Sequence, residues 1–237
     1  MVKFENPLSA WMGEIPIDWE KRKLKYIFSI KKEIAGEEGH TVLSITQQGI
    51  IPKNMDAKGQ FASDYSKYQL VKQGDFAMNH MDLLTGWVDV SEYDGVTSPD
   101  YRVFVLDDKD EFDSDYYKYI FQLCYKHRIF YSLGQGVSGF GRWRLPADMF
   151  LNFELPVPTH CEQYNIGVFL KRHITVLEEI IECVNNSIAD YKAVKLSYIR
   201  EMISGKNRKN RKTKPCNIDG IESIPCEWDT CRLRFLC

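Results

Sequence analysis

Glu162-Gln163-Tyr164-Asn165-Ile166-Gly167-Val168-Phe169-Leu170 opens a stretch from Glu162 to Ser204 that has no proline and one glycine, Gly167. Two sets of positions recur along it in strict three–four alternation. One set is Gly167, Ile174, Ile181, Ile188, Lys195 and Met202. The other is Leu170, Leu177, Val184, Tyr191 and Tyr198. A seven-residue recurrence sustained over five heptads is the pattern of a helix that pairs with another long helix, and not of one lying on its own domain. At 1.5 Å per residue such a helix spans roughly 65 Å. Its apolar seam is unfavourable in water, so a helical partner is expected. The residues expected to make that dimer contact are Leu170, Ile174, Leu177, Ile181, Val184, Ile188, Tyr191 and Tyr198.

Downstream, six of the nine residues from Lys206 to Lys214 are basic and none is apolar. The simplest reading of 205–220 is a flexible basic linker, with phosphate contact compatible with it. Beyond it, Ile224-Pro225-Cys226-Glu227-Trp228-Asp229 repeats Ile15-Pro16-Ile17-Asp18-Trp19-Glu20. The match continues from Lys23-Leu24-Lys25-Tyr26-Ile27 to Arg232-Leu233-Arg234-Phe235-Leu236, at a constant offset of 209 residues. Eleven aligned positions agree in chemistry, so residues 221–237 read as the start of a second unit like the first.

Upstream, residues 1–158 read as one mixed domain. β-type runs occur at Thr41–Ile45, Asp75–Met78, Gly86–Val90 and Tyr101–Val105, separated by turn signals at Lys58-Gly59, Gln73-Gly74-Asp75, Tyr93-Asp94-Gly95 and Ser98-Pro99-Asp100. A helix is expected from Ser114 to about Ser132. Tyr116, Tyr119, Ile120, Leu123, Ile129 and Phe130 would form its apolar face, with Asp113 or Ser114 as its cap. The six acids between Asp107 and Asp115 suit a solvated loop leading into the positive end of that helix. The fold class is therefore α+β: a mixed domain of short strands and helices, followed by one long helix of coiled-coil type at 159–204.

Composition narrows the function. The 237 residues are 44% hydrophobic and 13% aromatic, enough for a core, and the net charge of −2 neither requires nor forbids nucleic acid. Seven cysteines, with no C-x-x-C pair, suit free thiols in a reducing cytoplasm better than a disulfide scaffold. The last four lie within 22 residues but lack paired zinc-ligand spacing, so no metal and no cofactor is expected. No signal peptide or membrane span is visible. H-E-x-x-H, G-x-S-x-G, the dinucleotide-binding glycine fingerprint, the P-loop and the Asn/Asp-Pro-Pro-aromatic motif of amino-methylating DNA methyltransferases are all missing, which argues against catalysis.

Polar clusters at strand ends are the candidates for binding. In Gly134-Gln135-Gly136-Val137-Ser138-Gly139-Phe140-Gly141-Arg142-Trp143-Arg144-Leu145, four glycines permit close backbone approach. Arg142 and Arg144 offer guanidinium forks to phosphates or guanine edges, and Ser138 a hydroxyl; Trp143 suits either the core or the site. Asn79, His80, Asp82 and Thr85 cluster in a second segment, where Asn79 suits adenine, Asp82 suits cytosine, and His80 equally suits a structural role. Gln47 and Gln48, and Tyr101 with Arg102, are comparable candidates.

The order of these segments resembles the specificity subunits of type I restriction–modification enzymes. The resemblance rests on Ile15-Pro16-Ile17-Asp18-Trp19, Asn79-His80-Met81-Asp82-Leu83-Leu84-Thr85-Gly86 and Asp94-Gly95-Val96-Thr97-Ser98-Pro99-Asp100-Tyr101-Arg102. It continues in Gly139-Phe140-Gly141-Arg142-Trp143-Arg144-Leu145, then Phe153-Glu154-Leu155-Pro156-Val157-Pro158 with Glu162-Gln163 and the heptads. It covers essentially the whole chain. It implies a non-catalytic, cytoplasmic subunit whose recognition domain reads one half of a split site in double-stranded DNA. It also implies helices that pair antiparallel as a spacer and dock methyltransferase subunits and, through them, restriction subunits. Here one unit is complete and the next only begins, so two copies are expected to pair as a homodimer. A recognition fragment of a fused methyltransferase–nuclease, or a coiled-coil interaction protein that does not read DNA, are the alternatives.

Overall fold

The structure is a computed structural model and describes residues 4–5, 12–54, 64–136, 143–205 and 211–232. The chain is α+β, and two compact units divide it, Met1–Arg172 and His173–Cys237.

The core of the first unit is aromatic. A four-stranded antiparallel sheet runs in the order Phe28–Lys31, Arg102–Leu106, Phe76–Met78, Val88–Val90. Register sets Phe104 opposite both Ile30 and Phe76. The rings of Phe76 and Phe104 stack at 5.1 Å, and Phe28 meets Phe76, Phe104 and Tyr117 edge-on, each at 5.3 Å. All of these rings are buried. Burying each contributes about 1.5–3 kcal/mol, and the edge-on pairs add about 1 kcal/mol apiece. The remaining strands pair in twos, including the hairpin of Leu43–Thr46 with Gly49–Pro52. The four expected strands occur with ends displaced by one or two residues, as Leu43–Thr46, Phe76–Met78, Val88–Val90 and Arg102–Leu106.

Among the described residues four α-helices follow: α1 (Ser114–Lys126), α2 (Ile129–Ser132), α3 (Ala147–Asn152) and α4 (His160–Ile203). The first two correct the single helix expected from Ser114 to Ser132. Arg128 takes a left-handed backbone with φ of 57°, which ends α1 and turns the chain so that Phe130 packs edge-on against Tyr125 at 5.6 Å. Asp113 caps α1 as expected, its carboxylate accepting from the Tyr116 amide at 2.9 Å. The buried face is Tyr116, Tyr117, Ile120, Phe121, Cys124 and Tyr125, whereas Leu123 is exposed. Tyr117 and Phe121 belong to the aromatic cluster of the sheet, and that packing rotates the helix away from the face read from spacing alone.

The start of α4 is fixed by two devices. Thr159 and Glu162 form a reciprocal cap: the Glu162 carboxylate accepts from the Thr159 amide and hydroxyl, and the Thr159 hydroxyl accepts from the Glu162 amide. Gln163 is fully buried, accepts from the Asp113 amide, and donates to the carbonyls of Glu111 and Pro158. Gly167 completes the docking, because a Cβ there would lie 3.0 Å from the Asp113 carboxylate. Beyond this start the apolar side chains of α4 are not covered by the described residues of the chain. Leu170 and Ile174 are half-buried, while Leu177, Ile181, Val184, Ile188, Tyr191 and Tyr198 are exposed. Val176 and Ile180 are exposed beside Leu177 and Ile181, so the apolar face is wider than the two-position seam.

The repeat is present in the backbone. Phe4 pairs with Pro16 and Glu5 with Ile15, while Thr213 pairs with Pro225 and Lys214 with Ile224. These registers are related by the same offset of 209. In each copy the tryptophan amide donates to the proline carbonyl, Trp19 to Pro16 at 3.2 Å and Trp228 to Pro225 at 3.0 Å. In the second copy Arg211 bonds Glu227 at 2.6 Å, lies over the Trp228 ring, and donates to the Gly205 carbonyl after α4.

Candidate nucleic-acid interface

Backbone pairing brings three separated segments together. The Leu145 amide donates to the His80 carbonyl at 2.9 Å, and the Leu83 amide to the Trp143 carbonyl at 3.2 Å. Gln135 and Arg144 exchange both of their backbone hydrogen bonds, at 2.8 and 3.0 Å. Gly134 is needed there, since a Cβ would come within 2.4 Å of the Trp143 indole nitrogen. Trp143 is half-buried, stacks on Tyr131 at 5.2 Å and donates to its carbonyl at 2.6 Å. Both are packing contacts within the domain.

One groove of about 730 Å³ collects His80, Tyr101, Arg102 and Arg144 from the expected set, together with Lys32. Arg102 sits on the central sheet strand and is 5% exposed. Its Nη2 donates to the Leu145 carbonyl at 2.8 Å and its guanidinium lies over the Phe150 ring at 5.0 Å. Its Nη1 is buried without a hydrogen-bond partner. Burial lowers its pKa to about 10, which leaves it protonated at neutral pH. His80 is held neutral: burial, then the neighbouring charges of Arg102 and Arg144, bring its pKa down to about 3. Arg144 is exposed on the same groove.

The other expected residues fall elsewhere. Gln47 and Gln48 are exposed at the tip of the Leu43–Pro52 hairpin. The Asp82 carboxylate accepts from the amides of Leu84 and Thr85 and from the Thr85 hydroxyl, so Asp82 and Thr85 close their own turn. Asn79 is half-buried, with its amide donating to the Trp87 carbonyl and its side-chain carbonyl oxygen buried without a partner. Ser138 and Arg142 lie outside the described residues. Lys32, absent from the expected set, follows the edge strand Phe28–Lys31; only the three-dimensional pairing of that strand with Arg102–Leu106 marks it. Among the described residues no group of three His, Cys, Asp or Glu side chains is placed to hold a metal ion, and no helix is long and apolar enough to cross a membrane.

No family model and no curated protein matches the chain. Solved structures do. One is a chain from a structure described as the structural basis underlying complex assembly and conformational transition of the type I R-M system, 12% identical, with a TM-score of 0.56 over 84% of this chain and 48% of that one. The type I restriction–modification system S subunit from M. genitalium is 16% identical, with a TM-score of 0.46 over 81% and 47%. The HsdS subunit from Thermoanaerobacter tengcongensis is 11% identical, with a TM-score of 0.47 over 74% and 41%. The chain thus spans less than half the length of each of these chains. At the level of the fold, it is similar to a component of a type I restriction–modification system.

Proposed function

We propose that this chain is a non-catalytic DNA-recognition subunit of a type I restriction–modification system, reading one half of a split duplex site. The observation that carries the reading is the cationic groove. Arg102, Arg144 and Lys32 converge with His80 and Tyr101, from four sequence-distant segments, on a domain whose fold matches a type I system component. Basic side chains on a concave face supply the sequence-independent part of DNA affinity, while exposed amides such as Gln47 and Gln48 suit base edges. The uncovered face of α4 supports pairing with a second copy and docking of methyltransferase subunits, a wider face serving both.

The test is selection of bound duplexes from a randomised pool by the purified chain. The expected product is a defined site bound at least about 10³-fold more tightly than unrelated duplex. Equal affinity for every duplex would leave only a protein-interaction role for the helix, and methyl transfer by the purified chain alone would restore the enzymatic reading.

A further inference from the structure

Arg102 is a buried cation that lacks an anion. Among the described residues no carboxylate pairs with it, and Nη1 has no acceptor although the side chain lines an open groove. Leaving a buried charge uncompensated is costly, and buried charges are normally paired. Beyond the Leu145 carbonyl and the Phe150 ring, the charged neighbours of Arg102 add to the imbalance. Arg144 and Lys32 add two more cations, and His80 is neutral. The site is therefore built to accept negative charge with fixed donors already in place.

The size and lining of the groove define the anion further. About 730 Å³ is far more than a lone phosphate fills, and Ile30, Ile34 and Tyr101 supply an apolar wall beside the cations. Sugars bordering a phosphate match such a wall; an isolated inorganic ion does not. Arg102 also lies on the sheet with its Nη2 locked to the Leu145 carbonyl, so it offers one fixed donor edge. That geometry suits a constant feature of DNA better than a base edge that varies.

We infer that the groove is a receptor for a single backbone phosphodiester, with Arg102 and Arg144 on its non-bridging oxygens and the apolar wall against the flanking deoxyriboses. This rests on the DNA-reading function proposed above and assigns the groove to positioning rather than to sequence readout. Arg144→Gln is the test variant, because that side chain is exposed and its loss spares the core. Affinities of wild type and R144Q are measured on the selected duplex and on an unrelated one, across a range of salt.

The expected result is the same fold loss on both duplexes, with the log–log salt slope smaller by about one. Loss confined to the selected duplex with an unchanged slope overturns the inference and makes Arg144 a base reader, with DNA recognition intact. Unaltered binding by R144Q also overturns it. If the wild type binds no duplex, the DNA reading itself has failed, and thermal shift with dimethyl phosphate decides the groove. Stabilisation of wild type but not of R144Q upholds a phosphodiester site. No stabilisation, or stabilisation by inorganic phosphate alone, overturns it.

Discussion

His80 shows how one residue inherits its properties from its neighbours. A lone histidine beside polar residues suits either a structural or a binding role, and the sequence leaves both open. The structure seats it at the edge of a cationic groove, where burial and the charges of Arg102 and Arg144 hold its pKa near 3. Its folded pKa is thus below the ordinary value of 6.5. Between those two values the unfolded chain binds the extra proton, so the stability associated with neutral His80 is full above about pH 6.5 and is lost as pH falls through that window. From pH 7 to pH 5 the loss amounts to roughly 1–2 kcal/mol. His80→Gln has no such proton to take up, so it should lose less stability over the same interval. Urea midpoints of wild type and H80Q at the two pH values measure this, and parallel losses would show that His80 does not carry the effect. Arg102 and Asp82 mark the limit of reading at this scale. Both are the right residue types for base recognition, yet Arg102 is buried on the sheet and Asp82 caps a turn. Side-chain direction separates those fates, and residue type does not determine it.

Among the elements, the long helix was the most legible and its anchoring the least. The proline-free stretch with its heptads places a long helix at 159–204, within one residue of α4 at each end. The pair Glu162-Gln163 stands in the sequence without showing that Gln163 would be fully buried, because its three partners come from Asp113, Glu111 and Pro158, two of them some 50 residues away. A capping pattern, Thr159 with Glu162, was available and marks the helix start by a mechanism that spacing alone does not use. The break between α1 and α2 was illegible for a related reason: the sheet's aromatic rings select which face of α1 is buried, and Arg128 bends to return Phe130 to them. Gln163→Leu keeps the volume but strands one amide and two carbonyls in the interior. Each stranded group costs about 1–3 kcal/mol, so a loss near 3 kcal/mol is expected. Chemical denaturation measures it. A change below about 0.5 kcal/mol would mean that the helix start does not depend on this side chain.

For the molecule as a whole, the apolar face of α4 raises the question of what covers it. Leu177, Ile181 and Val184 are each more than half exposed, and Val176 and Ile180 widen the same face. Isolated apolar side chains on a surface are ordinary, but a continuous face along a helix of roughly 66 Å marks an interaction surface. The duplicated hairpin, with registers offset by 209, places a copy of the first unit's opening after this helix. A helix with such a face needs a counterpart, and a second copy related by a two-fold axis would provide one. Paired this way, two identical domains would read inverted half-sites with a fixed gap. Ile181→Asp tests the pairing, because a carboxylate at a covered seam position is buried without a partner, costing about 3 kcal/mol or more in each chain. Two chains lose about 6 kcal/mol together, which weakens dimerisation by roughly four orders of magnitude. Light scattering at micromolar concentration should then show a wild-type dimer and an I181D monomer. The monomer should keep its affinity for an isolated half-site and lose the extra affinity that the dimer gains on the spaced pair. A wild-type monomer, or a dimer unaffected by I181D, would remove α4 pairing as the source of the split site.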